Sequence, residues 1–77
     1  MIKNFGQKLK SLRKQAKLTQ REVASELNFS QRCLAGYETN TREVNFHNLV
    51  VIADFYDVSV DWLLGRTDKK EFTEAEQ

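Results

Sequence analysis

Proline is absent from this chain of 77 residues, cysteine occurs once and glycine three times. With no proline, no glycine-rich linker and no low-complexity tract, nothing marks a boundary between domains, and the length suits one domain near the lower limit for folding without a staple. A single cysteine excludes an intramolecular disulfide framework and a multi-cysteine metal site, so the fold must stand on packing alone. No apolar run approaches transmembrane length, and the opening MIKNFGQKLK lacks the apolar segment of an export signal. A soluble chain in a reducing, cytoplasmic setting, without a membrane partner, is the expectation. Also missing are a nucleophile–base set, a phosphate loop and an HExxH motif, so neither enzymatic activity nor a metal, cofactor or small-molecule ligand is expected. His47 has no companion ligands, and Asp57 and Asp61 suit a turn and a helix N-terminus better than a metal site.

What is present is unevenly spread. The net charge is only +1, yet residues 1–42 carry nine Lys/Arg against three acids, whereas residues 43–77 carry three bases against eight acids. A basic first half and an acidic second half suggest one face suited to an anionic partner.

The apolar pattern is helical throughout. Phe5, Leu9, Leu12 and Ala16 form one stripe on a first helix, roughly Asn4 to Lys17. Four later segments share a start signal in which a Ser, Thr or Asn follows an apolar residue and precedes another by four positions. These are Leu18-Thr19…Val23, Phe29-Ser30…Leu34, Val44-Asn45…Leu49 and Val58-Ser59…Leu63. Each polar residue can cap free N–H groups, each apolar pair can form a hydrophobic staple, and Glu22 completes a capping box with Thr19. The spacing predicts helices over Gln20 to Leu27, Gln31 to about Thr39, Phe46 to Tyr56 and Val60 to Leu64. Asn28, Asn40 and Gly65 are suited to end three of them. The fold class is therefore all-α with five helices, spanning residues 1–66, followed by a polar tail over 67–77 that is expected to fray.

The fourth helix carries more apolar residues than one face requires. Phe46, Leu49, Val50, Ile52, Ala53 and Tyr56 cover a core side, while Val51 and Phe55 lie on another and, with Trp62, offer an apolar surface for a dimer. The alternative is that the tail covers these three, with Phe72 as the lid.

Two short helices joined by a tight turn, TQREVASEL-NFSQRCLAGYE, match the helix-turn-helix unit, whose second helix enters the DNA major groove. Preceded by LRKQAKL and followed by DFYDVSVDWLLG, the stretch resembles the Cro/Xre-type transcriptional regulators, the group that includes the lambdoid phage repressors; the resemblance runs from about Leu9 to Gly65. It implies a lambda-repressor-like DNA-binding domain with the helix-turn-helix formed by helices two and three. The protein would be bacterial or phage-encoded and nucleoid-associated, with double-stranded DNA as partner, bound as a homodimer, and repression as the simplest mode of regulation. Gln31 and Arg32 open the second helix of the pair, where Gln can bond adenine and Arg guanine bidentately, each for roughly 1–3 kcal/mol of discrimination. By the same resemblance Gln20 grips a phosphate at a helix N-terminus, with Arg21 as a weaker candidate, and Asn40, Thr41 and Arg42 flank the DNA backbone. Arg13 and Glu38 occupy positions that in many relatives form an internal ion pair.

The chain departs from the usual pattern at Val44, where Pro is common, at Asn40, where Gly is usual, and at Gly36, where relatives often carry a long polar base-reading side chain. Gly inside a helix costs about 1 kcal/mol relative to Ala, so Gly36 and Ala35 are expected to allow close approach to a base or contact a thymine methyl. Cys33, in the same helix, reads as a packing residue rather than a redox sensor. A protein-interaction module on the same fold, an antitoxin or an adaptor, is the competing function.

Overall fold

A helix leaves its first N–H groups and last carbonyls without partners, and this chain satisfies both ends in a repeated way. The computed structural model describes residues 4–68 and residue 70. Among these residues there are five helices and no strand element: α1 (Phe5–Gln15), α2 (Gln20–Leu27), α3 (Gln31–Glu38), α4 (Phe46–Tyr56) and α5 (Val60–Leu63). Thr19, Ser30, Asn45 and Ser59 cap α2 to α5, accepting the backbone N–H of Glu22, Cys33, Asn48 and Trp62 at 2.7–3.1 Å. Glu22 returns the bond at α2, accepting the Thr19 N–H at 2.8 Å, so the capping box is closed.

The C-terminal ends are equally uniform. All five helices finish on a residue with positive φ: Lys17 (60°), Asn28 (61°), Asn40 (61°), Asp57 (56°) and Gly65 (77°). In each, that residue's N–H bonds three residues back and the next N–H bonds five back, as in Lys17 to Lys14 and Leu18 to Arg13, or Asn40 to Tyr37 and Thr41 to Gly36. This is the Schellman arrangement, which reverses the chain in two residues. It keeps every connection short.

The start of α1 differs. Asn4 has φ 64° and its side chain caps nothing; instead the Asn40 side chain, from beyond α3, accepts the Gly6 N–H at 3.0 Å. Gly6 is buried against the end of α3, and a Cβ there would stand 2.3 Å from the Glu38 carbonyl oxygen. The α1–α3 contact is therefore backbone against backbone, a spacing only glycine permits.

Phe5, Leu9 and Leu12 of α1 pack with Tyr37, Leu49, Ile52, Ala53, Val58 and Leu63 in the main core, and Val23, Ala24 and Leu34 form a second cluster between α2 and α3. Two expectations need correction. Ala16 is exposed, because α1 ends at Gln15 and Ala16 already belongs to the turn. Phe46, expected in the core, is 77% exposed: it occupies the first helical position of α4, and core contact begins one turn later at Leu49. Val51, Phe55 and Trp62, offered as a dimer surface, are each half-buried. Phe55 packs on the second cluster and meets Tyr56 edge-on, with centroids 4.9 Å apart. Trp62 packs on the main core, with the Lys8 and Lys70 ammonium groups 4.7 and 5.3 Å from its ring centre. Phe72, the alternative lid, lies outside the described residues.

Candidate nucleic-acid interface

The turn between α2 and α3 is only Asn28 to Ser30, since Asn28 takes the left-handed conformation and Ser30 already caps the next helix. Leu34, Tyr37 and Glu38 are buried, which fixes the inward side of α3. With 3.6 residues per turn, the opposite side carries Arg32 and Gly36. Gln31 and Arg32 are exposed, whereas Ala35 and Gly36 are half-buried.

The sequence-predicted residues gather in three places. Gln31 lines one shallow cleft with Thr19, Gln20, Arg21, Leu18 and Arg13, so the starts of α2 and α3 open on the same hollow. In the first turn of α2, Glu22 and Val23 donate to Thr19, leaving the Gln20 and Arg21 N–H groups without a partner among the described residues. Such an end suits an anion, because unpaired N–H groups and the helix dipole point the same way.

The second place is the buried junction below that cleft. Arg13 donates from Nε to Glu38 Oε2 at 2.8 Å and from its terminal nitrogen to Oε1 at 3.1 Å, while its other nitrogen reaches the Leu18 carbonyl at 3.0 Å. The Glu38 side chain is 2% exposed and that of Arg13 12%. Hydrogen bonding to Glu38 holds the Arg13 guanidinium above its ordinary value, outweighing the opposing effect of burial. Gln20 belongs here as well: its Nε2 donates to Glu38 Oε1 at 3.1 Å. Its amide thus ties α2 to α3, and its backbone N–H is the group left at the helix end. Tyr56 is half-buried, with its hydroxyl enclosed and without a hydrogen-bond partner among the described residues, and its phenol is pushed up to about 12, first by burial and then by the Glu38 charge.

The third place is the segment after α3. Asn40 is occupied in capping α1, as described above. Thr41 and Arg42 are exposed, and both donate backbone N–H groups to the Gly36 carbonyl, at 3.0 and 3.2 Å. The Thr39 and Thr41 hydroxyls meet at 2.9 Å. Cys33 is half-buried against the main core, with Tyr37, whose hydroxyl accepts from Asn48 Nδ2 at 2.9 Å.

Sequence reasoning missed Gly6, Asn48 and Lys8. Gly6 had a signal: a glycine inside an amphipathic helix is costly unless something approaches closely. Lys8 had none. It donates to the Trp62 carbonyl 54 positions away, with its ammonium over that ring.

A family model described as helix-turn-helix matches residues 9–63. Three regulators of Bacillus subtilis (strain 168) are similar over most of the chain. One, named as the uncharacterized HTH-type transcriptional regulator YobD, is 40% identical over 64 residues, covering 83% of this chain and 57% of that protein. A second, the uncharacterized HTH-type transcriptional regulator YqaE, is 39% identical over 69 residues, 88% of this chain and 60% of that protein. A third, the HTH-type transcriptional regulator ImmR, is 33% identical over 73 residues, 95% of this chain and 58% of that protein. The chain thus spans less than two thirds of the length of each.

Proposed function

This chain belongs to the Cro/Xre-type helix-turn-helix family, and we propose that it is a sequence-specific DNA-binding transcriptional regulator. The observation that carries the reading is the pairing of an exposed Gln31–Arg32 edge at the start of α3 with the open N-terminus of α2, around one cleft. Amide and guanidinium groups at such an edge read adenine and guanine, while backbone N–H groups at the neighbouring helix end hold a phosphate and fix the register. Arg21 and Thr41 add backbone contacts on either side. Their contribution is affinity and salt dependence rather than sequence preference.

A helix-turn-helix of this size covers one half-site, so the protein acts as a homodimer on a two-fold related site, its two α3 helices about one DNA turn apart. Repression by occupying a promoter is the simplest consequence. Random-sequence selection followed by electrophoretic mobility shift tests the assignment. A two-fold motif with half-sites 10–10.5 base pairs apart, centre to centre, is the expected result. No enriched motif at moderate salt would overturn it.

A further inference from the structure

Gly36 stands on the outward side of α3, one turn beyond Arg32, where a side chain would project from the same edge. The helix supplies none. The space is taken by a residue from outside the helix: a Cβ built on Gly36 would lie 2.9 Å from Arg42 Cβ, 3.6 Å from Arg42 Nε and 3.6 Å from Thr41 Oγ1. Arg42 therefore runs across α3 at the position Gly36 leaves bare. We propose that Arg42 is a base-reading residue, which supplies the second-turn contact of the recognition helix from the following loop and takes guanine as its target. The inference rests on the DNA-binding reading above and assigns a specificity role within it.

Three observations support a fixed, reading role over a loose backbone contact. Arg42 does not sit on a free loop, because its own N–H and that of Thr41 both end on the Gly36 carbonyl and Asn40 locks the reversal in the left-handed conformation. Its backbone is thereby tied directly to α3. Its side chain is exposed, and among the described residues the ion pairs join Arg13 to Glu38 and Arg66 to Asp61, so no carboxylate holds its charge. Finally, glycine at position 36 is what the arrangement needs: any side chain there would press on Arg42 Cβ, which is the root of that side chain and cannot swing aside as a flexible tip would. A guanidinium rooted where Gly36 leaves α3 bare adds a second planar donor fork to the side of the helix that carries Arg32, and such forks match guanine O6 and N7.

The discriminating variant is Arg42→Lys, which keeps the charge for a phosphate but loses the planar fork. Wild type, Arg42→Lys and Gly36→Ala are each put through the same random-sequence selection, with melting curves confirming that each variant is folded. In the expected result the wild-type motif contains a guanine beside the positions read by Gln31 and Arg32. Arg42→Lys then loses preference there by about 5- to 150-fold and keeps the rest of the motif; Gly36→Ala, by displacing Arg42, weakens the same position. If Arg42→Lys selects the wild-type motif at every position, Arg42 is a backbone contact and the inference fails while the DNA-binding assignment stands. If wild type itself enriches no motif, that assignment falls and takes this inference with it.

Discussion

At its C-terminal end α3 takes side-chain hydrogen bonds from α1, α2 and α4; at its N-terminal end, among the described residues, it takes one, from a hydroxyl. Glu38 is gripped by Arg13 and Gln20, Tyr37 by Asn48, and the backbone at Glu38 lies against Gly6 with no side chain between. Eight residues earlier, Ser30 caps the Cys33 N–H, and Gln31 and Arg32 extend from that point without a partner of their own among the described residues. On the proposed function, α3 must be positioned accurately and yet leave Gln31 and Arg32 unspent. Clamping the far end meets both needs, because a helix of eight residues is stiff over its length and an orientation fixed at Glu38 is carried to Gln31. On the proposed function, the Gln31–Arg32 edge and the clamp that stabilises the fold thus lie at different ends of one helix.

The largest effect should come from breaking the clamp. Arg13→Ala leaves a carboxylate that is almost wholly buried with only the Gln20 amide beside it, and removing one partner of a buried pair costs about 3–5 kcal/mol. Gln31→Ala and Arg32→Ala, at the other end, should stay within about 0.5 kcal/mol of the parent, as exposed positions do. Urea denaturation of the three variants measures the contrast. Similar losses at both ends would break the comparison.

Next in size is Gly6→Ala. A methyl group 2.3 Å from the Glu38 carbonyl oxygen forces α1 and α3 apart, and overpacking of this kind costs about 1–3 kcal/mol. Since the Asn40 cap on Gly6 and the Arg13–Glu38 bonds span the same gap, both should weaken together. Combining Gly6→Ala with Arg13→Ala is then expected to cost less than the sum of the two, measured as a double-mutant cycle. Strict additivity would mean that the close approach and the ion pair are separate supports.

Which parts of this could be read from the sequence follows from the range of the forces. Caps and reversals are decided within a few residues, so Thr19, Ser30, Asn45 and Ser59 announced where helices begin, and Asn28, Asn40 and Gly65 where three of them end. Lys17 did not, because lysine has no preference for the left-handed region; the backbone bonds from Lys17 to Lys14 and from Leu18 to Arg13 hold the reversal there. Periodicity placed Leu9, Leu12, Leu34 and Ile52 inside, since they sit mid-helix on a clear stripe, but misplaced Phe46 and Ala16, where a helix begins or ends and the stripe no longer implies a neighbour. The site divides in the same way. The exposed edge at Gln31 and Arg32 follows from a local motif, whereas the passage of Arg42 across Gly36 and of Asn40 to Gly6 depends on how separate elements meet. A lone glycine in a helix was legible as an anomaly. What approached it was not.

The smallest effect tests the lightly held end. Ser30→Ala removes the side-chain N-cap of α3, and losing an N-cap typically costs about 1 kcal/mol. If the two ends are supported as differently as their contacts indicate, the loss should be local. Hydrogen exchange should quicken at Cys33 and Leu34, whose amides close the first turn onto Ser30, while the Tyr37 and Glu38 amides keep their protection. Specificity should move as well, because fraying of that turn loosens Gln31 and Arg32 before it disturbs Arg42, which is anchored at the other end through Gly36. A uniform rise in exchange along the whole of α3 would mean that the helix answers as one unit and that the clamp at Glu38 does not insulate its far end.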